Sequence, residues 1–263
     1  MDYLKSIFDL VSFSERIADI PKSVDNIINP IVQFKEILSE SRLVVDTETI
    51  IHEDLKPVLN HTANFGWTYV DHLPADELFS KELLDLNKDQ IDEHFMSLYS
   101  EANKYKEDFL GTAKQFVFEN VNEIHHDLLK EMYMAFEKGL YKLCIPSAIL
   151  IIEGEISDIA QSSDVGKRLI TKWETKLRKK NNSKFDKEKT DFMDIATYSL
   201  IKYLSERLFI GHEFEDDRLD LLNRNWILHA RDDSSLWSKT DIVRLLNTIC
   251  TVVTIKDHNH QNK

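Results

Sequence analysis

Residues 114–143 read KQFVFENVNEIHHDLLKEMYMAFEKGLYKL. Apolar side chains recur there at Phe116, Val117, Val121, Ile124, Leu128, Met132, Phe136 and Leu140, mostly three and four positions apart. Side chains at i, i+3 and i+4 share one face of a helix, so this spacing predicts one long amphipathic helix with a buried stripe and a polar reverse. Gly139 lies near its end and Pro146 follows shortly after. Together they predict a helix–helix junction with the proline in the first turn of the next element.

The rest of the chain agrees with that reading. Six Gly and five Pro in 263 residues are few, and 30% of residues are charged, which favours long helices over the many tight turns of a β-sandwich. Downstream, 145–159 predicts a deeply buried helix, 166–179 and 191–208 two more, 217–229 another and 241–255 the last. The polar stretch 179–189 and the surroundings of Gly211 read as loops, and 256–263 as a frayed tail. Upstream, helices are predicted over 3–17, 24–38 and 76–99, with a less regular 62–74 between the last two. A soft boundary near Gly111 divides a helical N-terminal region, 1–110, of unknown role from a helical domain, 111–263. The fold class is all-α.

Charge and cysteine usage bound the function. Lys plus Arg number 33 against 46 Asp plus Glu, a formal net charge of −13. Phosphate binding draws on clustered cations, so an acidic whole argues against a tight nucleic-acid binder, though not against an enzyme that cuts RNA in a brief encounter. Cys144 and Cys250 both sit in apolar runs and read as small buried hydrophobes, with neither a disulfide framework nor a zinc spacing. Asp2, Lys5 and Asp9 interrupt the first ten residues, so no signal-peptide core is expected. The most apolar run, 143–152, is shorter than the ~20 residues a bilayer requires. These features lead us to expect a cytoplasmic protein in a reducing compartment, with no membrane, metal or cofactor. There is no glycine-rich phosphate loop and no Ser-His-Asp arrangement.

The segment Leu222-Asn223-Arg224-Asn225-Trp226-Ile227-Leu228-His229 carries an Arg, an adjacent polar residue and a His after four intervening positions. That spacing is common by chance, and a second match runs from Arg207 to His212. Context separates them: Arg207 is followed by apolar Leu208, and His212 follows Gly211 in an expected loop, whereas Arg224 is followed by Asn225. The flanks add to the motif. Leu140-Tyr141-Lys142-Leu143-Cys144-Ile145-Pro146 runs on to Ile152-Glu153-Gly154.

These residues resemble the HEPN superfamily, in which Arg, a polar neighbour and His form a metal-independent ribonuclease site. The Tyr, Ile-Pro and Glu-Gly pattern is similar to that of a group of uncharacterised bacterial HEPN-like proteins. In that group the later motif is approximately Asn-Arg, then Ile-Leu-His-Gly. The Gly66-Trp67 and Leu73-Pro74 pairs are similar to a further feature upstream. The resemblance covers roughly the last 150 residues. Ala230 stands where the pattern has glycine. Arg231 stands where HEPN proteins paired with nucleotidyltransferases carry a modifiable tyrosine, which argues against that partner system.

The resemblance implies a dimer in which two motifs meet in one cleft, and an isologous twofold interface achieves this with one motif per chain. On an ideal helix Asn225 and His229 share a face, while Arg224 and His229 lie about 140° apart, so those two converge only if the helix loosens at its end or if each faces a second copy, and the resemblance implies the latter. His229 is then expected as base or acid on the ribose 2′-OH or the leaving 5′-oxygen, since an imidazole titrates near neutral pH. Arg224 would hold the scissile phosphate and Asn225 would orient the His or the phosphate. The alternative reading makes Arg224 and Asn225 a surface polar pair and His229 a helix cap.

Weaker signals surround this motif. Glu153 and Asp158 lie in or beside a strongly apolar helix, five apart and therefore not cleanly on one face. A buried carboxylate there needs a partner, for which Arg224 is a candidate, and the expected role is to support the motif rather than to catalyse. The stretch 167–189 is the most basic, and Lys172, Lys176, Arg178, Lys179 and Lys180 are expected to guide RNA unless they are merely a solvated face. The acids after His212 read as helix caps, and His125, His126, His258 and His260 as surface residues. The resemblance points to a metal-independent endoribonuclease in bacterial antiphage defence or a toxin system, acting as a homodimer on RNA, with an antitoxin or regulatory protein as a further partner. A HEPN module that binds RNA or protein without cutting, and a structural helical adaptor, remain as alternatives.

Overall fold

Pro57 stands in the first turn of helix α1 (Lys56–Asn64), where a missing N–H costs nothing. The computed structural model describes residues 55–182, 192–211, 213, 215 and 217–261. The helices expected over 3–17 and 24–38 lie outside them. Among the described residues there are ten α-helices and no strand, as the all-α expectation requires. The single helix expected over 76–99 is instead α2 (Ala75–Leu78), a 3₁₀ turn (Lys81–Asp85) and α3 (Lys88–Leu98). Asn87 makes the difference. Its side chain accepts the Gln90 N–H at 3.1 Å while Gln90 accepts the Asn87 N–H at 3.0 Å, a capping box that starts a helix afresh.

The stripe over 114–143 likewise folds as two helices, α4 (Phe109–Asn120) and α5 (His126–Glu137), joined by a 3₁₀ turn (Glu123–His125). Val121 is extended, and Asn122 caps the turn by accepting the Ile124 N–H at 3.1 Å. Asn in this position competes for backbone groups and breaks a helix that apolar spacing alone would continue. After α5, Gly139 takes φ +74°, and Leu140 N–H reaches back to the Ala135 carbonyl at 2.9 Å.

Helix α6 (Tyr141–Ala160) starts four residues earlier than its expected beginning, so Pro146 lies inside it rather than in its first turn. Lys142, whose carbonyl a residue 146 N–H would have bonded, is exposed, so water can take that acceptor. Helix α7 (Lys167–Asn182) follows, then α8 (Phe192–Tyr203), which runs into a π turn (Leu204–Leu208). The short α9 (Arg224–Leu228) and the long α10 (Lys239–Gln261) complete the order. The tail expected to fray from residue 256 continues α10 to Gln261.

Helix α6 is the axis of the fold, with α5, α7, α9 and α10 packed around it. Ile145, Ile149, Ile152 and Ile156 are fully buried along its inner faces, each contributing about 1.5–3 kcal/mol of apolar burial. Helix α10 answers with Ile242, Ile249 and Val253, and it also touches α3, α4 and α8. Helix α1 packs on α8 and on the 3₁₀ turn over Lys81–Asp85. Val58, Trp67 and Phe95 belong to the same core as these residues of α6 and α10, so the core passes Gly111 without a break.

Polar groups stitch the two sides together. Thr68 N–H donates to Asn247 Oδ1 at 3.0 Å, and Asn247 Nδ2 donates to the Tyr99 hydroxyl at 3.2 Å. Cys144 and Cys250 are both buried and unbridged. No helix of the described residues is long and apolar enough to cross a membrane.

Candidate functional site

The motif sits on a helix much shorter than its surroundings in sequence predict. The helix expected over 217–229 is formed only at Arg224–Leu228, five residues. Residues 217–223 lead into it as irregular chain. Arg218 reaches across to Asp232 (Nε to Oδ1, 2.7 Å), and Trp237 Nε1 donates to the same carboxylate at 2.7 Å. These bonds hold the strand of chain before α9 against the turn after it. Asn223 then caps α9 by accepting the Trp226 N–H at 3.1 Å, and its amide donates to the Ile210 carbonyl at 3.1 Å. Such a cap stabilises a helix start by about 1 kcal/mol. Trp226 and Ile227 anchor the turn in the core.

The far end is an αL stop. Ala230 takes φ +54°, its N–H donates to Ile227 O at 3.1 Å, and Arg231 N–H donates to Trp226 O at 2.7 Å. A left-handed alanine costs about 1–2 kcal/mol that a glycine avoids, less the ~0.5–1 kcal/mol of extra chain entropy glycine carries when unfolded. Ala230→Gly is therefore expected to raise unfolding stability by about 0.5–1 kcal/mol in urea titration. A lowered urea midpoint would contradict the assignment of this turn.

Arg224 turns inward to α6. Its Nε donates to Glu153 Oε2 at 3.1 Å, and its Nη2 lies 2.9 Å from Oε2 and 3.1 Å from Oε1. Glu153 also accepts the backbone N–H of Gly166, the residue before α7. The ion pair is largely removed from water, with side-chain exposures of 17% for Arg224 and 11% for Glu153. His229 is the exposed C-cap of α9, and Asn225 is half-buried between the two. Thus Arg224 and Glu153 come together, as a buried carboxylate requires. Asp158 does not join them. It is exposed on another face of α6 and accepts from Asn122 Nδ2 at 3.0 Å.

The basic stretch is engaged mostly with its own chain. Lys172 pairs with Asp164 at 3.0 Å, and Arg178 pairs with Glu174 through Nη2 at 2.7 Å and Nε at 3.0 Å. Lys176 donates to the Ala160 carbonyl at the end of α6, where a cation complements the helix dipole. Lys179 is exposed on α7, and the side chain of Lys180 lies outside the described residues. So do His212 and Asp216 of the acidic loop.

Sequence reasoning missed the neighbouring cluster. Glu155, fully buried, accepts from the Asn122 N–H at 2.7 Å and from Lys256 Nζ at 2.6 Å. His125 is not the surface residue expected: its Nε2 is buried, 3.9 Å from Glu155 Oε1, and its ring lies on Gly154, where a Cβ would come within 2.5 Å of that nitrogen. His126 Nε2 is buried as well, with the ring stacked on Phe118. The apolar surroundings of Glu155 are visible in the sequence, but Lys256 lies 101 positions away and no local pattern points to it. Among the described residues no group of His, Cys, Asp and Glu could hold a metal ion. The outer face of α6 carries exposed Leu143 and Leu150, two turns apart, and Ile124 is exposed beside His125. Compared with known proteins, the chain matches no protein-family model, no curated protein and no solved structure.

Proposed function

We propose that the chain is a HEPN-like, metal-independent endoribonuclease whose working site forms where the 224–229 segments of two copies meet. The observation that carries this reading is the presentation of the motif. Glu153 grips two nitrogens of Arg224 and leaves Nη1 unbonded among the described residues, while His229 stands exposed at the other end of the same short helix. A fixed guanidinium and an accessible imidazole are the two groups that cleavage through a ribose 2′-OH needs. His229 takes the 2′-OH proton, the 2′-oxygen attacks phosphorus, and the 5′-oxygen leaves with a proton returned from an imidazole. The products are a 2′,3′-cyclic phosphate and a 5′-hydroxyl. Arg224 balances the charge that develops on the phosphoryl oxygens, and Asn225 orients the His or the phosphate.

Exposed Leu143, Leu150 and Ile124 around α6 supply apolar surface of the kind a second copy would cover. A cytoplasmic defence or toxin setting, and an antitoxin or regulatory partner, belong to this proposal through the resemblance alone.

One observation favours a second reading. The Arg224–Glu153 pair would also serve a non-catalytic HEPN module or a structural adaptor, as a clamp between α9 and α6. His229→Ala separates them, because this exposed cap contributes little to packing. In purified protein it is expected to slow RNA cleavage by about 10²–10⁴-fold with the melting temperature nearly unchanged. A single 2′-deoxy sugar at the cleaved position is expected to block cutting there. Equal cleavage by wild type and His229→Ala would overturn the nuclease reading.

A further inference from the structure

We infer that Glu153, itself held by the Gly166 amide, is a positioning residue that presents Nη1 of Arg224 to one non-bridging oxygen of the scissile phosphate. This inference rests on the nuclease reading above.

The first ground is that the pair is poorly explained by stability. Glu153 lies on α6 among Ile149, Ile152 and Ile156, each fully buried. A carboxylate and a guanidinium taken out of water recover little beyond their desolvation, and an apolar pair of the same volume is often as stable or more so. What a buried ion pair does supply is a fixed orientation. Here the orientation is doubly determined, because the same carboxylate is bonded by Arg224 and by the backbone of Gly166.

The second ground is which nitrogens are used. Glu153 takes Nε and Nη2, one edge of the planar guanidinium. The two N–H groups of Nη1 are therefore turned toward the opposite edge, away from Glu153. Gly166 lies close by: a Cβ built there would stand 3.7 Å from Nη1 and 3.9 Å from Cζ, in contact with the guanidinium. Gly166 has φ +58°, a left-handed conformation that turns its N–H into Glu153 and that glycine adopts without strain. The same residue thus orients the carboxylate and sets no side chain against Nη1. One nitrogen aimed from one side can distinguish the two non-bridging oxygens of a phosphodiester, which a freely rotating guanidinium would not.

The test is therefore stereochemical. A short RNA carrying the cleaved linkage is made with a single phosphorothioate there, as separate Rp and Sp diastereomers, and cut by the full-length chain. Sulfur in place of the contacted oxygen weakens the hydrogen bond, so the wild type is expected to prefer one diastereomer by about tenfold or more. Glu153→Gln is expected to bring the two rates within about threefold of each other. His229→Ala should slow both while leaving their ratio unchanged. The ratio does not depend on how much protein is folded, so a merely structural loss would not move it. Glu153→Asp, which withdraws the carboxylate by one methylene, gives a second variant with the same expectation. A wild-type ratio in both Glu153 variants overturns this inference alone. Failure of the wild type to cut the unmodified RNA overturns the nuclease reading, and this inference with it.

Discussion

Arg244→Met lowers the unfolding free energy by about 3–5 kcal/mol, the largest single effect we expect in this chain. Arg244 lies on α10 with 3% of its side chain exposed, and it donates to Asp92 Oδ1 at 2.5 Å and to Asp241 Oδ1 at 2.8 Å. Asp92 also accepts from Trp67 Nε1 and Lys88 Nζ, each at 2.8 Å. Removing the guanidinium leaves two shielded carboxylates short of their central partner, which costs far more than the pair contributes when whole. Urea unfolding followed by tryptophan fluorescence measures the loss, and a change below about 1 kcal/mol would refute the role given to Arg244.

The effect carries a pH signature. Burial pushes the Asp92 carboxyl up, but Arg244, Lys88 and Trp67 outweigh it and hold the pKa below its ordinary 3.8. A depressed folded-state pKa contributes stability that is present above the unfolded value and lost as pH falls through the folded one. Without Arg244 the dominant remaining influence is burial, which acts in the opposite direction. The gap between wild type and Arg244→Met is therefore widest near neutral pH and narrows as pH drops below about 4. A gap that widens on acidification would contradict this account.

Gly66→Ala is the second large effect, about 2–4 kcal/mol. Gly66 takes φ +84°, which alone costs an alanine about 1–2 kcal/mol. A Cβ there would also overlap Cδ of Arg244 and stand 3.1 Å from Cε2 of Tyr203. Arg244 Cδ is the middle of a side chain pinned at its far end, so it cannot yield cheaply. In an Arg244→Met background the flexible thioether is released from both carboxylates and can move aside. The double variant is then expected to lose less than the two single losses combined, by about 0.5–2 kcal/mol. Strict additivity would show that the overlap with Arg244 does not matter.

These two residues also illustrate what sequence reading can reach. Helix content and the inner faces of α4, α5, α6 and α10 follow from apolar spacing, because a core-facing stripe repeats locally. The breaks at Asn87 and at Asn122 were hidden inside plausible periodicity. There a side-chain cap, worth about a kilocalorie, overrules continuation of the stripe. The helix expected over 217–229 is cut short by a similar device, since Asn223 caps a new start by accepting the Trp226 N–H and α9 begins only at Arg224.

Partners chosen by tertiary packing are the least legible. Arg244 meets Asp92 across 152 positions and Glu155 meets Lys256 across 101, with no local pattern connecting either pair. Glu153 was more readable, because a carboxylate inside an apolar helix demands a cation and Arg224 stood in the motif. His125 was misread because the space it occupies comes from Gly154 on α6, a fact of packing rather than of spacing.

The central claim is that His229 belongs to an RNA-cleaving site. The most direct test grows cells expressing the wild-type chain beside cells expressing His229→Ala at equal protein level, with total RNA from each run on a gel. Growth arrest and RNA fragments are expected with the wild type, and loss of both in the variant. Equal growth and intact RNA in the two cultures, or fragments that persist in the variant, would contradict that claim.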